Sequence, residues 1–95
     1  MPARTKAWSV YIVRCCDGSL YIGASNDVAA RLKRHNAGTG ARYTRSRLPV
    51  ELVWKRRQKD KSRALSVEAR LKRQPRLSKL QLIAGQISLR TLLSA

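Results

Sequence analysis

Several residue types are scarce in this chain of 95 residues, and each scarcity excludes a class of protein. Two cysteines and one histidine cannot supply the four ligands of a structural zinc site. Cys15 and Cys16 are adjacent, so in an extended strand they point to opposite faces and are poor disulfide partners. No apolar stretch approaches the roughly 20 residues that a membrane-spanning helix needs. The sequence therefore predicts reduced thiols, a cytoplasmic location and no membrane partner.

The small number of acidic residues is the most informative of these features. Five Asp and Glu stand against 21 Lys and Arg, which gives a formal net charge of +16 on a chain of 10.7 kDa. So much like charge repels itself and destabilises the compact state. A polyanionic partner offsets that cost, and nucleic acid is the commonest such partner. Because 43% of the residues are hydrophobic and lie in periodic segments, disorder is excluded and a folded nucleic-acid-binding protein is expected.

The strand signals predict a small sheet. The segment WSVYIVRC, which begins at Trp8, is rich in β-branched and aromatic residues that favour a strand. Asp17-Gly18 is a strong hairpin signal, and LYIG from Leu20 gives the return strand. With a further strand over residues 50–57, we predict an α+β fold whose three-stranded sheet is mainly antiparallel.

Helix signals separate and follow these strands. We predict about three helices and one basic loop: a helix that starts at Ser25-Asn26-Asp27 and runs to about Asn36, a loop over 41–49, a helix over 61–73 capped by Asp60, and a helix from Pro75 or Ser78 to Gly85. The predicted organisation is an N-terminal extension over 1–7, one domain over 8–84, and an apolar tail over 85–95 whose structure the pattern does not predict.

The hairpin register decides whether Tyr11 and Tyr21 share a face of the sheet. A two-residue turn at Asp17-Gly18 puts them on opposite faces. A three-residue turn with Gly18 in the left-handed conformation pairs Tyr11 with Gly23 and puts both rings on one face. We predict the second arrangement, in which Gly23 leaves room for a ligand. The alternative role of both tyrosines is ordinary core or cross-strand packing.

One acid falls on the apolar side of the predicted second helix. At about 100° per residue, Glu68 lies between Leu71 and Leu65, beside Ala64. An ionised carboxylate that faces a core is costly unless a cation or metal pairs with it. The alternative is a structural ion pair with Lys72 at i,i+4. Since one carboxylate suffices for Mg²⁺ when phosphate oxygens and waters complete the shell, Glu68 is the candidate metal ligand.

The first predicted helix carries a second pair of candidate residues. Arg31 and His35 stand at i and i+4 on one face, with Arg31 near the edge of the core. The alternative is an Asp27–Arg31 ion pair beside a hydrogen-bonded structural histidine. Because His35 is the only histidine, nuclease mechanisms that need two are excluded.

Five short segments together resemble GIY-YIG nucleases. VYI at 10–12 and YIG at 21–23 resemble the two half-motifs that name the family, although the first reads Val-Tyr-Ile. SNDVAARLKRHN is similar to the family's first helix, whose catalytic arginine falls on Arg31 and whose histidine, in some branches, falls on His35. GARYT resembles the loop tyrosine segment of small stand-alone members, and EARLK places the metal-binding glutamate at Glu68. The resemblance covers about residues 8–83. An asparagine found beyond the glutamate in some members has no counterpart.

The resemblance implies a metal-dependent endonuclease that hydrolyses phosphodiester bonds with one divalent ion, Mg²⁺ or Mn²⁺. Tyr11 would assist deprotonation of the attacking water, through Tyr21 or His35, and Arg31 would neutralise charge on the phosphoryl oxygens. The ion held by Glu68 would stabilise the leaving oxygen. Similarity to structure-specific flap and junction endonucleases favours DNA over RNA, repair or processing of branched structures, and a monomer or weak dimer.

Basic side chains and one tyrosine are expected to grip the nucleic-acid backbone. They lie in the 41–49 loop, at the end of the third strand and on the second helix: Arg42, Tyr43, Arg45, Arg47, Lys55, Arg56, Arg57, Lys59, Lys61 and Lys72.

Two other functions fit part of the sequence. A noncatalytic nucleic-acid-binding protein, such as a ribosome-associated factor, accounts for the size and charge equally well. It does not explain an acid in an apolar helix face or the ordered set of tyrosines, arginine, histidine and glutamate. A protein-interaction module is supported only by the apolar tail.

Overall fold

The computed structural model describes residues 7–94, so residues 1–6 of the predicted N-terminal extension and residue 95 of the tail lie outside the described residues. Three strands form one sheet: β1 (Ser9–Arg14), β2 (Leu20–Ser25) and β3 (Glu51–Arg57). Five helices accompany it: α1 (Val28–Asn36), α2 (Arg42–Arg45), α3 (Lys61–Lys72), α4 (Arg76–Ile83) and α5 (Leu89–Leu93).

The sheet has the order β2-β1-β3, and both pairings are antiparallel, which confirms the predicted α+β fold. The three predicted helices correspond to α1, α3 and α4. Helix α2 lies inside the segment predicted as a loop, and α5 lies in the tail. Helices of four and five residues are too short to show a hydrophobic period, so tertiary contacts rather than periodicity define them.

The hairpin between β1 and β2 has the predicted three-residue turn. Gly18 has φ +84°, a left-handed conformation that other residues rarely adopt. The amide of Cys15 donates to the carbonyl of Ser19 at 2.8 Å and closes the turn. Tyr11 consequently pairs with Gly23, and Val13 pairs with Tyr21. Because directly paired residues share a face, Tyr11 and Tyr21 lie on the same side of the sheet, as predicted.

The two faces of the sheet pack against different helices and form two hydrophobic clusters. The larger cluster joins the α3 side of the sheet to α3, α4 and α5, through Val10, Ile12, Ile22, Ala64, Val67, Leu71, Leu82, Leu89 and Leu93. The smaller cluster lies on the opposite face, under α1, and contains Tyr11, Val13, Cys15, Val28 and Val50. The candidate tyrosine is therefore part of the smaller core.

Helix α3 begins where the sequence predicts. The side chain of Asp60 accepts from the amide of Arg63 at 2.8 Å and caps the helix. The buried stripe is narrower than the sequence indicates, because Leu65 is 46% exposed. Glu68 therefore lies at the edge of this stripe rather than in its middle.

The two cysteines differ in their exposure to solvent. Cys15 is buried, Cys16 is exposed, and both are free thiols. Within residues 7–94, no helix has the length and apolar character required to span a membrane.

Helix α5 should contribute to stability because it adds buried leucines to the larger cluster. We expect Leu89→Ala to lower the free energy of unfolding by about 2–5 kcal/mol, since Leu89 is 8% exposed. Leu77→Ala is the matched control and should cost about 0.5 kcal/mol or less, since Leu77 is 66% exposed. Urea denaturation measures both. Equal losses in the two variants would contradict the packing of α5.

Candidate active site

Tyr11 is held in the smaller core by its cross-strand neighbour. The side chain is almost completely buried, at 1% exposure. A Cβ added at Gly23 would lie 2.5 Å from the Tyr11 hydroxyl oxygen, far inside contact distance. Gly23 is therefore required for the Tyr11 ring itself. The prediction that Gly23 leaves room for a ligand is wrong, because the phenol of Tyr11 fills that space.

The Tyr11 hydroxyl forms a buried hydrogen bond with His35. The histidine lies on the last turn of α1 and is fully buried. Its Nε2 is 3.0 Å from Tyr11 Oη, and its Nδ1 is 3.0 Å from Thr44 Oγ1 on α2. A Cβ at Gly40 would stand 2.5 Å from Nδ1, so this position also needs glycine. The three side chains form one buried row from β1 through α1 to α2.

The hydrogen bonds of Thr44 assign the tautomer of His35. The Thr44 hydroxyl donates to the carbonyl of Ala41 at 2.9 Å, so its oxygen accepts from Nδ1–H of His35. Nε2 is then unprotonated and accepts from the Tyr11 hydroxyl. A longer contact of 3.4 Å from the Ala41 amide to Nδ1 favours the other tautomer. We assign the first because its contacts are shorter and account for both hydroxyl protons.

Burial keeps the two titratable side chains of this row, Tyr11 and His35, uncharged. It is the largest cause that raises the pKa of Tyr11 from 10.0 to about 12; nearby Tyr21 and Glu68 add to the rise, and Arg31 opposes it. Burial also lowers the pKa of His35, and the positive charge of Arg31 lowers it further. At neutral pH the row therefore consists of a phenol and an uncharged imidazole.

Tyr21 continues the site toward the surface. Its ring meets His35 edge to face at 5.5 Å and stacks on Tyr43 at 6.0 Å between centroids. The guanidinium of Arg47 lies 4.0 Å from the centre of the Tyr43 ring and forms an ion pair with Asp17 at 3.2 Å. The hairpin turn and α2 are thus tied together beside the two tyrosines.

Arg31 and Glu68 approach Tyr11 from two different helices. Both charges act on the pKa of Tyr11, although Arg31 belongs to α1 and Glu68 to α3. The Glu68 side chain is 18% exposed and pairs with Lys72, with 2.8 Å between Oε2 and Nζ. The predicted structural ion pair is therefore present, and the carboxylate stands near the candidate catalytic tyrosine as well.

The side chains that could bind a metal are few. Within the described part of the chain, no three His, Cys, Asp or Glu residues are grouped to hold an ion. An ion beside Tyr11 would have Glu68 as its protein carboxylate, and other ligands would have to come from water or substrate.

The predicted nucleic-acid-binding residues divide between two regions. Arg42, Tyr43 and Arg45 are exposed on α2, next to Tyr21 and His35. Lys55 pairs with Tyr11 across β1 and β3 and so shares its face.

The remaining members lie farther along the chain and have different neighbours. Arg56, Arg57, Lys59 and Lys61 lie around the end of β3 and the start of α3, where Lys61 Nζ stands 5.4 Å from the centre of the Trp8 ring. The ammonium group of Lys72 forms an ion pair with Glu68.

Sequence reasoning missed three supporting residues. Thr44 and Gly40 shape the surroundings of His35, as described above. The Asn36 side chain accepts from the amide of Val50 at 2.8 Å and donates to its carbonyl at 3.0 Å, which joins α1 to the segment before β3. Each of these contacts links positions without a periodic relation. Only the GARYT segment, which contains Gly40 and Thr44, drew attention to two of them.

Comparison with known proteins decides the family. Residues 7–81 match the family described as the GIY-YIG catalytic domain. The chain belongs to the GIY-YIG family. It resembles a UPF0213 protein of Streptococcus sanguinis (strain SK36), with 50% identity over 74 residues that cover 78% of this chain and 85% of that protein. A UPF0213 protein of Staphylococcus aureus (strain Mu3) is 51% identical over 74 residues, covering 78% of this chain and 90% of that protein.

Solved structures agree with this membership. The solution NMR structure of a UPF0213 protein from Bacillus halodurans has a TM-score of 0.54 at 40% identity and covers 83% of this chain and 84% of that one. The solution NMR structure of a protein from E. faecalis has a TM-score of 0.59 at 34% identity and covers 90% and 91%. The predicted resemblance to a small single-domain GIY-YIG protein is confirmed, and the family is one of nucleases.

The buried neutral state of His35 should make stability depend on pH. Its pKa is lower in the folded protein than the usual 6.5, so the unfolded chain binds more protons below that value. The free energy of unfolding should therefore be highest above about pH 6.5 and fall as the pH drops below it. Thermal melts between about pH 7.5 and 5.5 measure the dependence.

His35→Gln is the variant that isolates this effect. Glutamine removes the titrating group, so its melting temperature should depend less on pH over the same interval, whatever its absolute stability. Parallel slopes for the two proteins would show that His35 does not carry the dependence.

Proposed function

We propose that this protein is a metal-dependent endonuclease that hydrolyses phosphodiester bonds, of DNA in preference to RNA, at the site around Tyr11. The observation that carries the proposal is the buried hydrogen bond from the Tyr11 hydroxyl to an uncharged His35, with Arg31 and Glu68 close enough to act on the phenol. A tyrosine that only packs in the core needs no neutral base at its hydroxyl and no charged side chains that shift its pKa. Family membership supports the reaction class.

In the proposed reaction, Tyr11 and His35 move one proton away from the attacking water. With a pKa of about 12, the phenol does not ionise unaided near neutral pH. As water approaches, the hydroxyl gives its proton to Nε2 of His35 while the phenolate oxygen takes one from water. The resulting hydroxide attacks phosphorus, and the bond to the leaving oxygen breaks. His35 then returns its proton to Tyr11, whose own hydroxyl proton passes through solvent to the departed oxygen, so one water is consumed and both side chains are restored. Thr44 keeps Nε2 free to accept.

Burial separates the groups that handle the proton from those that meet the substrate. Tyr11 and His35 have 1% and 0% exposure, which suits contact with a single water rather than a grip on the polymer. Arg31 and Tyr21 are more exposed than this pair, and the Tyr21 ring contacts both His35 and the exposed Tyr43. Arg31 is therefore the group that neutralises charge gathering on the phosphoryl oxygens.

Glu68 suits the divalent ion that the family implies. Its carboxylate is a hard oxygen ligand at 18% exposure, and it requires a cation, which Lys72 supplies here. When bound, Mg²⁺ or Mn²⁺ would stabilise negative charge on the leaving oxygen. Lys72 would then be released from Glu68 to contact the backbone, as its exposed position allows.

A noncatalytic nucleic-acid-binding protein is the second candidate. The 2.8 Å ion pair between Glu68 and Lys72 favours it, because that pair satisfies the carboxylate without a metal. The net charge of +16 supports binding under either function. Repair or processing of branched DNA, which the resemblance implies, requires the protein to be a nuclease.

We expect Glu68→Gln to reduce cleavage by at least about 100-fold and to leave nucleic-acid binding nearly intact. Glutamine keeps the shape of the side chain but removes the charge that a divalent ion needs. Glu51→Gln is the matched control, since its side chain is 71% exposed and its ion pair with Arg14 is 4.0 Å long. Single-turnover cleavage of linear and branched DNA and RNA with Mg²⁺, Mn²⁺ or EDTA measures both.

The control should cut at the wild-type rate. If Glu68→Gln also cuts at that rate, Glu68 is structural and the metal assignment fails. If the wild-type protein binds the substrates but cuts none of them with either ion, the noncatalytic function is correct.

A further inference from the structure

Five arginines surround a hollow that the site around Tyr11 does not use. The hollow has a volume of about 440 Å³ and lies between the end of β3, α3 and α5. Its arginines come from all three elements: Arg56, Arg57, Arg63, Arg70 and Arg90. We call it the arginine hollow. Its floor is apolar and consists of Val67, Leu89 and Leu93, which belong to the larger core.

The arginine hollow concentrates positive charge, although Asp60 stands beside Arg57 and Arg63 in an adjoining hollow. No aspartate or glutamate lines it. Among residues 7–94, the recorded ion pairs of 4.0 Å or less involve other cations, namely Arg14, Arg47 and Lys72. Unpaired like charges beside an apolar floor repel one another more strongly than they would in water. An anion in the hollow would remove that cost.

Helical geometry separates the arginine hollow from Glu68. At about 100° per residue, Arg63, Val67 and Arg70 fall within roughly 60° of one another on α3. Glu68 lies at least about 100° away around the helix. Tyr11 is on the other face of the sheet, in the smaller core. The arginine hollow and the candidate active site therefore share no lining residue and face different directions.

The guanidinium groups that line the arginine hollow suit phosphate as a ligand. Guanidinium groups present forked donors that match phosphate oxygens in pairs. One wall is fixed, because Arg70 is half-buried and Nη2 donates to the carbonyl of Leu93. Arg63 and Arg90 are exposed and free to turn toward a ligand. The open shape and the lack of any acceptor-rich wall suit an extended polyanion.

We propose that the arginine hollow binds the phosphodiester backbone of a second segment of the nucleic acid, apart from the segment that meets Tyr11. The proposal rests on the proposed function only in taking nucleic acid as the substrate class. Two sites that face different directions require a substrate that bends or branches around the domain, whose extents are 41 × 31 × 19 Å. The arginine hollow thus gives branched substrates an extra contact.

The test compares two double variants that lose the same charge. Arg63→Gln with Arg90→Gln removes two arginines of the hollow. Arg34→Gln with Arg73→Gln removes two exposed arginines outside both sites. Binding of a three-way-junction DNA is measured in EDTA over a range of salt concentrations, after thermal melts confirm that both variants are folded. Inorganic pyrophosphate is the second probe, for a free phosphate compound.

We expect the slope of log affinity against log salt to fall by about two for the hollow variant, one per lost phosphate contact, and by much less for the control. Equal falls in the two variants would overturn the proposal, because general charge would then explain them. Loss of pyrophosphate binding with an unchanged DNA slope would also overturn it, by assigning the hollow to a free phosphate compound.

The binding measurement separates this proposal from the nuclease function. A reduced slope in a protein that cuts nothing with Mg²⁺ supports the arginine hollow and rejects the nuclease. Normal cleavage with an unchanged salt slope supports the nuclease function and rejects the arginine hollow as a binding site.

Discussion

The hydrogen bond between Tyr11 Oη and His35 Nε2 joins β1 to α1 inside the smaller core, and the candidate site is arranged by the packing that this bond requires. It needs Gly23 opposite Tyr11, which in turn needs the three-residue hairpin turn. It also needs Gly40 beside His35, so that the chain can pass close to the ring. The hydrogen bond between these two buried atoms therefore depends on the hairpin turn, on the strand register and on the position of α1. An unpaired hydroxyl or imidazole at that depth would cost stability.

Charge is distributed around the fold so that this neutral row is close to strong positive potential. Arg31 lowers the pKa of His35 and opposes the rise of the pKa of Tyr11. The effect on Tyr11 favours the phenolate form, whereas the effect on His35 makes the imidazole a weaker base and keeps it uncharged until the phenol proton reaches it. The basic side chains of α2 lie on the same side, and the arginine hollow lies on the other. A chain with only five acids cannot neutralise these surfaces internally, so a polyanionic ligand completes the electrostatics.

The sequence was sufficient to predict the parts of the fold that local chemistry determines. The strands, the start of α1 within Ser25-Asn26-Asp27, the cap at Asp60 and the left-handed turn at Gly18 follow from residue type and spacing. The shared face of Tyr11 and Tyr21 follows from that turn. These elements are specified by neighbours in sequence, which is why a single chain reveals them.

Other parts depend on contacts between distant positions and could not be predicted. The Thr44–His35 bond, the short helices α2 and α5, and the narrow apolar stripe of α3 arise only when the elements pack. The catalytic role of Arg31 came from the family resemblance, and the metal-binding role of Glu68 came first from its place on the helix; both stay proposals. Tyr11→Phe tests the central claim most directly, because phenylalanine keeps the ring against Gly23 and removes only the hydroxyl. Single-turnover cleavage at saturating protein should fall by at least about 100-fold while the fold persists. A variant that cuts at the wild-type rate, with the same metal requirement, would contradict the account.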